Sequence, residues 1–116
     1  MIDVLNDRGD VPTQLEAYAD PFHALAILFS EVLEGLYASG KSEAVAAKHL
    51  SWLSLLAFTF EAAREAARVR QELRRRGEVI PDADTFIAGT VRAESGTLIT
   101  TDQRFESVPD LDCDVL

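Results

Sequence analysis

Two aspartates in the last third of the chain, Asp84 and Asp102, stand where acids do chemistry. Asp84, Ile87, Ala88 and Val91 recur at i, i+3, i+4 and i+7, so they share one helical face and the acid lies on its apolar side. Pro81-Asp82 is a helix-start signal, and Gly96 is a stop. Thr97-Leu98-Ile99-Thr100 has strand composition, and Asp102 follows at the carboxyl end of that strand, where open α/β sheets place their sites. Each acid also has an ordinary local role, Asp84 at the helix dipole and Asp102 in a turn. Several carboxylates in one pocket repel one another and raise each other's pKa, and a bound cation is the best explanation of such a cluster.

Glu31 and Glu34 are further acids in a helical stretch. Helical spacing puts Glu31 with Leu28 and Gly35, and Glu34 with Ile27 and Tyr37, so periodicity does not choose between them. Both also read as solvated helix acids. Arg64, Arg68, Arg74, Arg75 and Arg76 give the longest helix a basic outer side, with Glu61 and Glu72 as local partners. The sharper reading of these arginines is a phosphate-contacting edge beside an acidic site. His23, His49 and Cys113 lack zinc-site spacing. Trp52, Phe58 and Phe60 are expected in the core. The chain has no Gly-rich phosphate loop and no supported Ser-His-Asp order.

The elements that must position these acids follow in order. Residues 1–5 read as a short helical turn, and Thr13 caps a helix to Ala19. Phe22–Ala26 is a strand candidate, followed by a helix to Tyr37 and another that Ser42 caps. Leu55–Phe58 is the next strand, and Thr59 caps the longest helix, Phe60–Arg76, which Gly77 ends. A last strand lies near Cys113–Leu116. Strands alternate with helices, which predicts an α/β fold with a mostly parallel sheet covered on both faces.

At 116 residues the chain is expected to be one domain, 1–116. A net charge of −9 excludes indiscriminate nucleic-acid binding through bulk charge, although a local basic patch remains compatible with it. No apolar run is long enough for a membrane span, and no signal peptide is visible. The lone Cys113 fits a reducing cytoplasm.

Glu31-Val32-Leu33-Glu34-Gly35, Asp84-Thr85-Phe86-Ile87-Ala88 and Thr100-Thr101-Asp102-Gln103-Arg104-Phe105 together resemble the PIN-domain nucleases, in particular the VapC-type toxins of toxin–antitoxin pairs. The resemblance implies a PIN-like three-layer α/β/α sandwich. It implies that Glu31, rather than Glu34, Asp84 and Asp102 are metal-binding acids, with Thr100 the hydroxyl residue of the site and Asp82 a helix cap. Mg²⁺ or Mn²⁺ is the implied cofactor, RNA the implied substrate, and a cognate antitoxin and a homodimer the implied partners.

The resemblance breaks at the front. Chains of this family begin with a short apolar strand ending in Asp and then a helix, and residues 2–6 here read like that helix. The expectation is therefore a chain truncated at its amino terminus, with the central strand and first Asp missing and Asp3 no substitute. Loss of a central strand would leave buried backbone groups without partners at about 1–3 kcal/mol each, which favours a natural start further upstream. The function expected is a metal-dependent endoribonuclease impaired by the missing Asp. The alternative is a non-catalytic binding module that sequesters an antitoxin.

Overall fold

Asp3–Asn6 forms a strand, β1, at the centre of the sheet. The computed structural model describes residues 3–6, 22–51 and 53–116, apart from the side chains of Ala46 and His49. The expected helix at Thr13–Ala19 and the core role of Trp52 fall outside that set. After β1 come β2 (Phe22–Leu25), α1 (Ala26–Ala38), α2 (Glu43–Leu50), β3 (Ser54–Leu56) and α3 (Phe60–Arg75). The chain continues with α4 (Asp82–Ala93), β4 (Thr97–Thr100), a 3-10 turn at Gln103–Ser107 and β5 (Cys113–Val115). The strand order is β3-β2-β1-β4-β5 and every pairing is parallel.

The helical turn expected at the amino terminus is thus corrected, and with it the missing central strand. β1 pairs with β2 on one side and with β4 on the other, Asp3 opposite Thr97 and Asn6 opposite Thr100. A four-residue strand whose two central residues are buried on opposite faces carries no period that separates strand from helix, and ladder hydrogen bonds on both edges decide the outcome. Val4 is fully buried and Leu5 nearly so. Their side chains point to opposite faces, as strand geometry requires.

The Val4 face, with Leu25 and Leu98, packs on Val69 and Leu73 of α3 and on Ile87, Ala88 and Val91 of α4, closed by Phe105 and Val108. The Leu5 face holds Ile99, flanked by Phe22, Leu53 and Leu116. Thr59 caps α3 by accepting the Ala62 N–H at 3.1 Å, and Ser42 caps α2 by accepting that of Val45. Gly77 ends α3 at φ +71°, with the Glu78 N–H reaching back to the Leu73 carbonyl. At the end of α4 the left-handed residue is Ser95, φ +52°, rather than Gly96, whose N–H closes the turn on the Val91 carbonyl.

Phe58 and Phe60 are not core: they are 45% and 77% exposed. Phe60 opens α3, where the Arg64 guanidinium lies over its ring at 5.9 Å. Among the described residues no helix is long and apolar enough to cross a membrane.

Candidate functional site

All strands run the same way, so their carboxyl ends share one edge of the sheet. From β1 the chain proceeds outward through β2 and β3 and then returns to place β4 on the other flank of β1. The β1–β4 seam is therefore the topological switch point, where α/β sheets open a crevice above the strand ends. Asn6 and Thr100 are paired at that end of the seam, and Asp102 follows Thr100 out of it.

Asp102 is held from both sides in sequence. Its backbone N–H donates to the Thr100 hydroxyl at 3.1 Å, and Thr100 is buried. Its carboxylate caps the 3-10 turn by accepting the Arg104 backbone N–H at 2.9 Å. The Arg104 guanidinium adds donors at 3.1 Å to Oδ1 and at 3.0 and 2.6 Å to Oδ2. Hydrogen bonding from Arg104, side chain first and backbone second, holds the Asp102 carboxyl below the usual carboxylate range.

Asp84 sits in the first turn of α4 on the side of Ile87, Ala88 and Val91, as its spacing predicts, and its side chain is 16% exposed. Its Oδ2 is closed off from water and lies 3.3 Å from Arg104 Nη2. One guanidinium nitrogen thus stands against both acids. Asp82 is not a side-chain cap: Pro81 occupies the N-cap position, and Asp82 pairs with Arg70 at 2.6 Å instead.

Glu31 is half-buried on the Leu28 side of α1, whereas Glu34 is exposed. Among the described residues no group of three acids, histidines or cysteines is close enough to share an ion, so Glu31 does not join Asp84 and Asp102 in one. Burial pushes the Cys113 thiol up to about 11, which keeps it protonated and unsuited to metal or nucleophilic work. The donor set of Asp84 and Asp102 suits a hard divalent ion, since Mg²⁺ is commonly held by one or two carboxylates and keeps several waters. Two carboxylates already gathered around one positive nitrogen make the same point physically.

Arg104 and Asn6 were not singled out by sequence reasoning. A long basic side chain two residues past an acid on a tight turn is the local signal that points to the first. Nothing local marks Asn6, because its place depends on two strands pairing with it.

Along the flank of α3, a groove of about 430 Å³ is lined by Phe58, Ala67, Arg70, Arg74, Thr85 and Phe86 among others. Phe58 and Phe86 meet edge to face at 5.1 Å. Thr85 lines the groove from α4, one residue past Asp84 in sequence.

A family model for the PIN domain matches residues 1–111. Among solved structures, VapBC2 from Rickettsia felis, bound to a DNA fragment from its promoter, is similar at a TM-score of 0.83 and 25% identity, over 100% of this chain and 99% of that one. VapBC-1 from nontypeable Haemophilus influenzae is similar at 0.82 and 17% identity, over 99% and 98%. VapBC-5 from Mycobacterium tuberculosis, a member of the VapBC family of toxin–antitoxin systems, is similar at 0.78 and 19% identity, over 99% and 97%. No curated protein sequence matches significantly.

Proposed function

We propose that this chain, which belongs to the PIN domain family of nucleases, is a VapC-type endoribonuclease that cuts RNA phosphodiester bonds with a divalent metal ion. The observation that carries the reading is the meeting of Asp84 and Asp102 at the β1–β4 switch point. Asp84 and Asp102 would hold the Mg²⁺ or Mn²⁺, and Glu31 is the further acid that the family pattern assigns, standing apart from that pair among the described residues. Such an ion supplies a lowered pKa for attacking water and offsets charge in the in-line transition state.

The chain's own residues do the rest. Thr100 fixes the backbone of Asp102 and so aims its carboxylate. The buried setting of Asp84 keeps water from competing for it. Arg74 and the aromatic pair Phe58–Phe86 line a groove suited to a single strand, phosphates toward the arginines and a base against the rings. The flank is a local basic patch on a chain whose net charge is −9.

The family's central strand ends in Asp, and β1 here ends in Asn6. A neutral amide in place of that carboxylate supports slow cleavage by this chain. The partners are an antitoxin, as the similar VapBC complexes support, and a second copy of the chain; the setting is the cytoplasm. The test is cleavage of single-stranded RNA in Mn²⁺. Slow cutting that EDTA and Asp102→Asn both abolish supports the reading, and cutting that survives Asp102→Asn overturns it.

Asn6 at the end of β1 favours a second reading. On that reading the chain is a non-catalytic module that binds an antitoxin. Tight antitoxin binding without any Mn²⁺ binding, measured by calorimetry, distinguishes it.

A further inference from the structure

Arg104 stands where the ion of the proposed function would stand. Its Nε donates to both oxygens of Asp102, and its Nη2 reaches Asp102 Oδ2 at 2.6 Å and Asp84 Oδ2 at 3.3 Å. The oxygens that would ligate a divalent cation are the ones this planar fork engages. The base of the side chain is anchored, because the Arg104 backbone N–H donates to Asp102 Oδ1 at 2.9 Å. The side chain itself is 59% exposed. Asp84 is mostly buried and cannot turn to water for compensation.

We propose that Arg104 is a resident counter-cation of the Asp84–Asp102 pair, which neutralises the acids in the metal-free protein and must swing into solvent before a divalent ion can bind. This inference rests on the metal-dependent reading above. Two like-charged carboxylates held together and ionised are stabilised by a positive partner. The guanidinium supplies it with one charge and a fixed fork; a divalent ion supplies it with two and recruits waters. The two cannot share the same lone pairs, and their charges repel, so each binds at the expense of the other. The exposed side chain has an open path outward, and its anchored backbone keeps it beside the site after it leaves. The pocket therefore stays folded without metal, and loading becomes a competition that weak or dilute cations lose.

The test compares wild type with Arg104→Gln, titrating Mn²⁺ by calorimetry and melting each protein in EDTA and in saturating Mn²⁺. Arg104→Gln is expected to bind Mn²⁺ about tenfold or more tightly, because the competing charge is gone. It is also expected to melt lower than wild type in EDTA and level with it in Mn²⁺. Arg104→Lys keeps the charge without the fork and falls between the two, which retains the comparison where Arg104→Gln fails to fold. Equal Mn²⁺ affinities, or a melting deficit that Mn²⁺ does not remove, overturn the proposal and leave Arg104 a turn residue. Mn²⁺ binding by neither protein overturns the metal reading itself along with it.

Discussion

Gly89 of α4 lies against the backbone of Ala66 in α3 so closely that a Cβ at position 89 would sit 2.5 Å from the Ala66 nitrogen and 2.6 Å from its Cα. Neither atom can move without moving α3. Gly89→Ala is therefore expected to cost about 1–3 kcal/mol by forced separation of the two helices, read as a lowered urea midpoint. Ala66→Gly does not rescue it, since the nearest obstacles are backbone atoms. Rescue to wild-type stability would contradict this account of the contact.

A second prediction concerns Arg92, whose nearly buried guanidinium joins α4 to Glu65 at 3.0 Å and Glu72 at 2.8 Å of α3, and to the Pro109 carbonyl at 3.1 Å. The hydrogen bond from Arg92 holds the Glu72 carboxyl below its ordinary 4.5. A depressed folded pKa means stability that is fully present above the unfolded value and lost as pH falls through the lower folded value. Glu72→Gln should cost about 1–2 kcal/mol near pH 7, because Glu65 still partners Arg92. The gap from wild type closes as pH falls through that depressed folded value, where wild-type Glu72 is itself protonated. Urea midpoints across that range check it, and a gap independent of pH would speak against the ion pair.

Thr100→Val tests how Asp102 is aimed. The valine keeps the bulk at a buried position but cannot accept the Asp102 N–H. A loss of about 1 kcal/mol in stability is expected. A fall of about tenfold in Mn²⁺ affinity is expected with it, as for residues that orient a ligand without touching the ion. Calorimetry reads the second effect; unchanged affinity would remove Thr100 from the site.

Asn6→Asp places a carboxylate at the carboxyl end of the central strand, opposite Thr100. RNA cleavage in Mn²⁺ is expected to rise about tenfold or more, since an added hard oxygen ligand strengthens a site otherwise short of one. A folded Asn6→Asp variant that cleaves no faster would remove the account of impairment. Undiminished antitoxin binding by that variant would then favour the non-catalytic module.

Much of the α/β order was legible because its signals are local. A hydroxyl three residues ahead of the amide it caps marks the starts of α2 and α3, and Gly77 marks the end of α3. The inward side of Asp84 followed from its spacing to Ile87 and Val91. What was not legible depends on distant partners. β1 is a strand because β2 and β4 hydrogen-bond it on both edges, and residues 3–6 carry no sign of either. Phe60 is exposed at the first position of α3, which composition does not reveal. Arg104 belongs to the site because Asp84, a full helix and strand earlier, is folded onto it. Asp82 was misassigned for the same reason, its partner Arg70 lying on another helix.

The position of β1 also sets the order in which the molecule can be made. Asp3 and its ladder partner Thr97 stand on strands that α1, α2, α3 and α4 separate in sequence. Local helices such as α3 can form as they emerge, whereas this closure must await β4. The seam it completes is the one that carries Asn6, Thr100 and Asp102. The chemistry of the chain is therefore withheld during synthesis, and a product released early carries the arginine-rich helix without the site.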